Sequence, residues 1–150
     1  MMSAGMTSFA RRIFLFISAL SFGGVAVSSV SLYHHYGTSQ TSYCDFGESF
    51  NCDLVNRSTY STISGIPVAF IGMAGYLGLL VLATFYRNQA ETPARLALAS
   101  LAGFSFALYL TYVEAFVLAA WCVLCLSSLA IIFCILLLAS TLWRHQVRRT

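Results

Sequence analysis

Four long apolar runs separated by short polar stretches set the layout of the chain. Residues 13–33 carry no charged side chain, and comparable runs follow at about 63–86, 96–116 and 121–143. A helix rising ~1.5 Å per residue needs about 20 such residues to cross a hydrocarbon core of ~30 Å. Each run is therefore expected to be one membrane-spanning helix. Pro67 suits the first turn of the second helix, where a missing N–H costs nothing. Gly72, Gly75 and Gly78 recur every three residues, a spacing that lets a neighbouring backbone approach one face. Residues 87–95, Arg-Asn-Gln-Ala-Glu-Thr-Pro-Ala-Arg, read as a short charged turn. Residues 34–62 form the one extended polar segment, with Asp45, Glu48, Asp53 and Arg57.

Composition agrees with that pattern. The 150 residues are 59% hydrophobic and 9% charged, and the mean hydropathy is +0.79. A soluble domain carries about 25% charged residues, so this chain cannot cover a water-facing surface. An all-α membrane protein is expected, a four-transmembrane-helix bundle forming a single domain over residues 1–150 and acting as a monomer. Eight arginines and no lysine are too few and too scattered for a nucleic-acid footprint. They report on orientation instead. With four spans, Arg11, Arg12, Arg87, Arg95, Arg144, Arg148 and Arg149 share one side, and Arg57 alone falls on the other. The positive-inside rule then puts both termini in the cytoplasm and residues 34–62 outside, as in a multi-pass protein of a cell inner membrane. Arg11-Arg12 before an apolar run also resembles a signal-peptide n-region, but the run is long for an h-region, and a retained span is expected.

Chemistry resides in the cysteines. Cys122-Val123-Leu124-Cys125 opens the fourth run. On a helix, an i, i+3 spacing puts both sulfurs on one face, where they can close a tight disulfide. Free N–H groups and the positive dipole end of a helix start favour the thiolate. Cys44 and Cys52, eight residues apart, lie in the polar segment. The expected topology brings all four to the periplasmic, oxidising side, where disulfides persist. Two dithiol pairs at one membrane face suggest a relay through mixed disulfides, from a soluble protein to a lipid-soluble acceptor such as a quinone. Other readings stay open on spacing alone. Cys44–Cys52 could be a permanent staple in a non-enzymatic tetraspan structural module. Four cysteines could ligate zinc, although such sites usually pair two short-spaced elements, so no metal is expected.

Further residues carry a resemblance. Tyr43-Cys44-Asp45, the run Asn51-Cys52-Asp53-Leu54-Val55-Asn56-Arg57-Ser58, Gly65-Ile66-Pro67-Val68, and Trp121-Cys122-Val123-Leu124-Cys125 after Tyr109-Leu110-Thr111-Tyr112 occur in this order. With them the chain resembles the vitamin K epoxide reductase family in its stand-alone bacterial-type form. The resemblance covers the chain from the first span through the fourth. It implies a four-helix bundle around a quinone (ubiquinone or menaquinone), capped by the periplasmic loop and a short half-helix. Cys44 and Cys52 would be the loop shuttle pair, and Cys122 and Cys125 the active-site pair. Cys125 would lie deeper, against the quinone, with Cys122 exchanging with Cys52. Ser58 would stand beside the site, and Trp121 could wall the quinone pocket. The implied activity is quinone-dependent thiol–disulfide oxidation that supports disulfide formation. With no fused thioredoxin-like domain in the sequence, a separate periplasmic thioredoxin-fold partner is expected. Reduction of vitamin K or its epoxide is the alternative substrate class.

The remaining polar residues have plainer expectations. Cys134 is expected to be a small packing residue. Glu114 reads either as a proton acceptor or as a carboxylate snorkelling at the interface. His34 and His35 are expected at the outer interface, and Trp121 and Trp143 bracket the fourth run as interfacial residues do.

Overall fold

A computed structural model describes residues 7–37 and 47–150. Helix α1 is Ser8–Tyr36 and a short α2 is Cys52–Asn56. After a 3-10 turn at Thr59–Ser61, β1 (Thr62–Ile63) pairs antiparallel with β2 (Ile66–Pro67). Helices α3 (Val68–Thr84), α4 (Thr92–Val113) and α5 (Val123–Val147) follow, with a π-turn at Glu114–Leu118 closing α4.

Among the described residues, three helical stretches are long and apolar enough to cross a membrane: Ser8–Tyr36, Thr92–Leu118 and Val123–Val147. Large apolar side chains such as Phe16, Phe22 and Leu98 point outward, more than 60% exposed, which a lipid solvent tolerates and water does not. Serine hydroxyls inside the helices are satisfied locally. Ser18 donates to the Phe14 carbonyl and Ser105 to that of Leu101, one turn back. The chain is a mostly helical membrane protein.

The second expected run is shorter as a helix than its hydropathy suggests. Residues 63–67 go into the hairpin, whose two-residue loop holds Ser64 at φ 53° and Gly65 at φ 83°. Both central residues of such a tight loop need positive φ, and Gly65 supplies it freely. Ile66 precedes a proline and is thereby kept extended. Pro67 is the N-cap, and α3 has 17 residues, about 26 Å at 1.5 Å per residue.

The arginine-bearing segments gather at one end. The Gln146 side chain donates to the Ala90 carbonyl, and the Phe9 and His145 rings lie 5.5 Å apart. The start of α1, the 87–95 connection and the end of α5 therefore meet. The core lies toward this end: Ile13, Phe14 and Ile17 of α1 meet Leu79 and Ala83 of α3, Leu96 and Ala97 of α4, and Ala139 and Leu142 of α5. Helix α1 packs closely on α3 and α5, and α4 on α5, while α3 and α4 touch sparingly.

Among the described glycines, Gly24 of α1 is the most tightly packed: an added Cβ would lie 2.3 Å from the Tyr76 ring. The Tyr76 hydroxyl donates to the Ser128 carbonyl at 2.8 Å, so this residue links α1, α3 and α5. Of the expected glycine stripe, Gly72 alone meets another helix, at Ser28, while Gly75 and Gly78 have no neighbour at the Cβ position. Gly72 and Gly75 instead line a cavity.

Candidate functional site

The site forms at the end opposite the arginine cluster, where α4 hands over to α5. Helix α4 loosens into the π-turn, and Ala119 in the left-handed region (φ 49°) reverses the chain. Ala120 N–H then donates back to the Glu114 carbonyl at 3.2 Å. Such π-turns are concentrated at functional sites, and a non-glycine residue at positive φ persists where its surroundings hold it. The turn delivers Cys122, extended at φ −113° and ψ 116°, as the N-cap of α5.

No oxygen side chain caps α5. The Cys122 carbonyl accepts from Leu126 N–H at 3.0 Å, the first bond of the helix. The Cys125 thiol donates to the Cys122 sulfur. It holds the Cys122 thiol below the ordinary range, against burial and the Glu114 charge. Cys125, one turn into the helix, is half-buried and faces the cavity.

The polar segment comes to this point on α2. The Asn51 side chain caps α2 by accepting from Leu54 N–H at 2.8 Å. The backbone docks on the start of α5: Asn51 N–H donates to the Trp121 carbonyl at 3.1 Å, and Trp121 N–H to the Ser49 carbonyl at 2.9 Å. The end of α1 grips the other side. His34 meets Asp53 at 3.2 Å, His35 Nδ1 donates to the Asn56 carbonyl, and Arg57 to the Gly37 carbonyl. Both histidines thus hold α2 in place.

These contacts bring Cys52 and Cys122, both fully buried, into one cluster with Val55 and Ala120, with Cys125 packed at its edge. Cys52 is disulfide-bonded, whereas Cys122 and Cys125 carry free thiols. A disulfide beside a dithiol is an arrangement across which exchange can run. Cys44 lies outside the described residues. Cys134 is exposed on the outer face of α5, not packed inside as its residue type suggests.

The cavity, about 400 Å³, lies among α1, α3, α4 and α5 where α3 and α4 stand apart, with α2 over it. Its wall is mostly apolar, with a few polar groups at the cysteine end, the usual make-up of a small-molecule site. Cys125 and Ser58 line it. The Ser58 hydroxyl donates to the Val55 carbonyl at 2.8 Å, so it also closes a turn. Trp121 does not line it; its part is the backbone pairing with Ser49 and Asn51. Among the described residues, no group of three His, Cys, Asp or Glu side chains is placed to hold a metal ion.

One site residue escapes sequence reasoning, and another is left open by it. Asn56, buried at the cavity wall, points Nδ2 at the Cys122 sulfur, 4.0 Å away, and its Oδ1 accepts from the Ser31 hydroxyl at 2.6 Å. Its position four residues after Cys52 was the available signal, since i and i+4 share a helix face. Glu114, 2% exposed, is the other. Its Oε2 accepts the Cys122 N–H at 3.2 Å, and its Oε1 is buried without a partner. Snorkelling is thereby replaced by an inward-facing carboxyl at the cavity wall.

The model of the vitamin K epoxide reductase family matches residues 15–140. The chain belongs to the vitamin K epoxide reductase family and is a membrane oxidoreductase.

Proposed function

We propose that the chain oxidises a thioredoxin-fold protein outside the membrane and passes the electrons through two cysteine pairs to a quinone, supporting disulfide formation. The observation that carries this reading is the placement of the Cys122–Cys125 dithiol between the disulfide-bonded Cys52 and an apolar cavity. In this reading α3 is a fourth, short span, and residues 1–150 form one domain. The arginine-bearing end is cytoplasmic and the cysteine end periplasmic, as the positive-inside rule requires.

The steps follow from the chain's own residues. A partner dithiol reduces the Cys44–Cys52 disulfide and leaves as a disulfide. The Cys52 thiolate attacks oxidised Cys122–Cys125 at Cys122, and Cys44 resolves the mixed disulfide, leaving Cys122 and Cys125 reduced. The Cys122 sulfur, favoured as thiolate by the Cys125 thiol beside it, is the ready nucleophile of the pair. Cys125, at the cavity wall, faces the acceptor. A bound quinone would supply a sink for two electrons and two protons. The cavity fits an aromatic ring, with apolar walls from four helices and Ser58, Asn56 and Glu114 at one end.

Purified protein supplied with a dithiol donor and a soluble quinone tests this. Wild type should produce quinol, and Cys125→Ala should lower the rate by at least about a hundredfold while thermal unfolding stays close to wild type. Unchanged turnover in Cys125→Ala would remove the reading. Cys44→Ala should block a thioredoxin-fold donor while sparing small dithiols; equal loss with both donors would remove the shuttle role.

A further inference from the structure

Glu114 is a buried carboxyl at the heart of the site. One oxygen accepts the Cys122 N–H, and the other is buried without a hydrogen-bond partner. A hydrogen-bond acceptor for Cys122 N–H would need only a carbonyl, which the nearby backbone could supply. Burying a carboxyl group with an idle oxygen in an apolar wall is costly, and that cost is seldom met without a use. The same carboxyl group is in hydrogen-bonding range of the Cys125 thiol. It also lines the cavity that Cys125 faces. Cys125 and Glu114 are the titratable groups acting on Cys122, since the neighbouring Cys52 is disulfide-bonded.

Resting on the quinone-linked reading above, we infer that Glu114 stores the proton that Cys122 gives up and returns it to the acceptor in the cavity. In the reduced site, one proton resides on Cys125 and one on Glu114, with Cys122 as thiolate. Oxidation breaks the Cys125 S–H bond, forms the Cys122–Cys125 disulfide and sends two electrons to the quinone. The Cys125 proton and the Glu114 proton go to its two oxygens, giving quinol. Glu114 ends as a carboxylate and is protonated again when Cys52 next reduces the pair. No water need enter the apolar cavity for protons to balance electrons.

The test is redox-induced infrared difference spectroscopy of the full chain, cycled with a dithiol and a chemical disulfide-forming oxidant, so that quinone is not required. A protonated carboxylic-acid band should be present in the reduced protein, disappear on oxidation and be missing from Glu114→Gln. In parallel, Glu114→Gln, which keeps an acceptor for the Cys122 N–H, should slow quinone reduction about a hundredfold, the usual worth of a placed acid–base group. Glu114→Asp, which keeps a titrating carboxyl, should retain the band and recover part of the rate. Absence of the band in wild type, or wild-type turnover in Glu114→Gln, would overturn the proposal. A wild type that cycles the band but makes no quinol would remove the quinone reading and leave the proton store standing.

Discussion

Cys122 and Cys125 are three residues apart and identical in chemistry, yet the helix start makes them different. The Cys125 thiol donates to the Cys122 sulfur, which takes the accepting part. Hydrogen bonds to a charged form favour that form. Removing the principal donor in Cys125→Ala should therefore raise the Cys122 pKa. Alkylation of Cys122 by a small iodoacetamide, followed by mass spectrometry against pH, should move to higher pH in that variant; an unmoved profile would deny the donor its role. Asn56 should be felt as a clamp. Asn56→Ala takes the partner from the buried Ser31 hydroxyl and the amide from beside the Cys122 sulfur. Leaving a buried group unpaired costs about 1–3 kcal/mol, read as a lower thermal midpoint in detergent. Motif order singled out Cys52, Cys122 and Cys125, which the fold brings into one cluster. Glu114 was ambiguous because its direction depends on a π-turn and on Ala119 at positive φ, neither of which hydropathy encodes.

At the level of helices, hydropathy located the four runs because each one is set off by charge or by turn residues. It misplaced the start of α3, since Ile63 and Ile66 are apolar but belong to a hairpin shaped by Gly65 and Pro67. The glycines make the same point. Spacing singled out Gly72, Gly75 and Gly78, whereas the tight contact is at Gly24 against Tyr76. Tyr76 cannot swing aside without giving up its hydrogen bond to Ser128. Gly24→Ala should thus destabilise the bundle by about 1–3 kcal/mol, as overpacking does. Gly78→Ala, with open space at its Cβ, should be neutral or gain up to ~1 kcal/mol from helix propensity. Thermal unfolding of the two variants side by side separates these outcomes, and equal effects would contradict the packing described.

Taken whole, the molecule is packed at one end and open at the other. The core unites the helices near the arginines, and the cavity and cysteines occupy the far end. Sequence patterning foretold the two ends through the arginines. A central site was implied by the resemblance, but the outline of the cavity could not be read in advance, because a void is set by how side chains from α1, α3, α4 and α5 fail to meet. The central claim is that Cys52 on α2 and Cys122 at the start of α5 are close enough to exchange. The double variant Cys44→Ala/Cys125→Ala leaves these two without their usual partners. Mild oxidation followed by proteolysis and mass spectrometry should yield a Cys52–Cys122 disulfide-linked peptide in most molecules. Recovery of both residues as separate alkylated thiols, with no linked peptide, would contradict it.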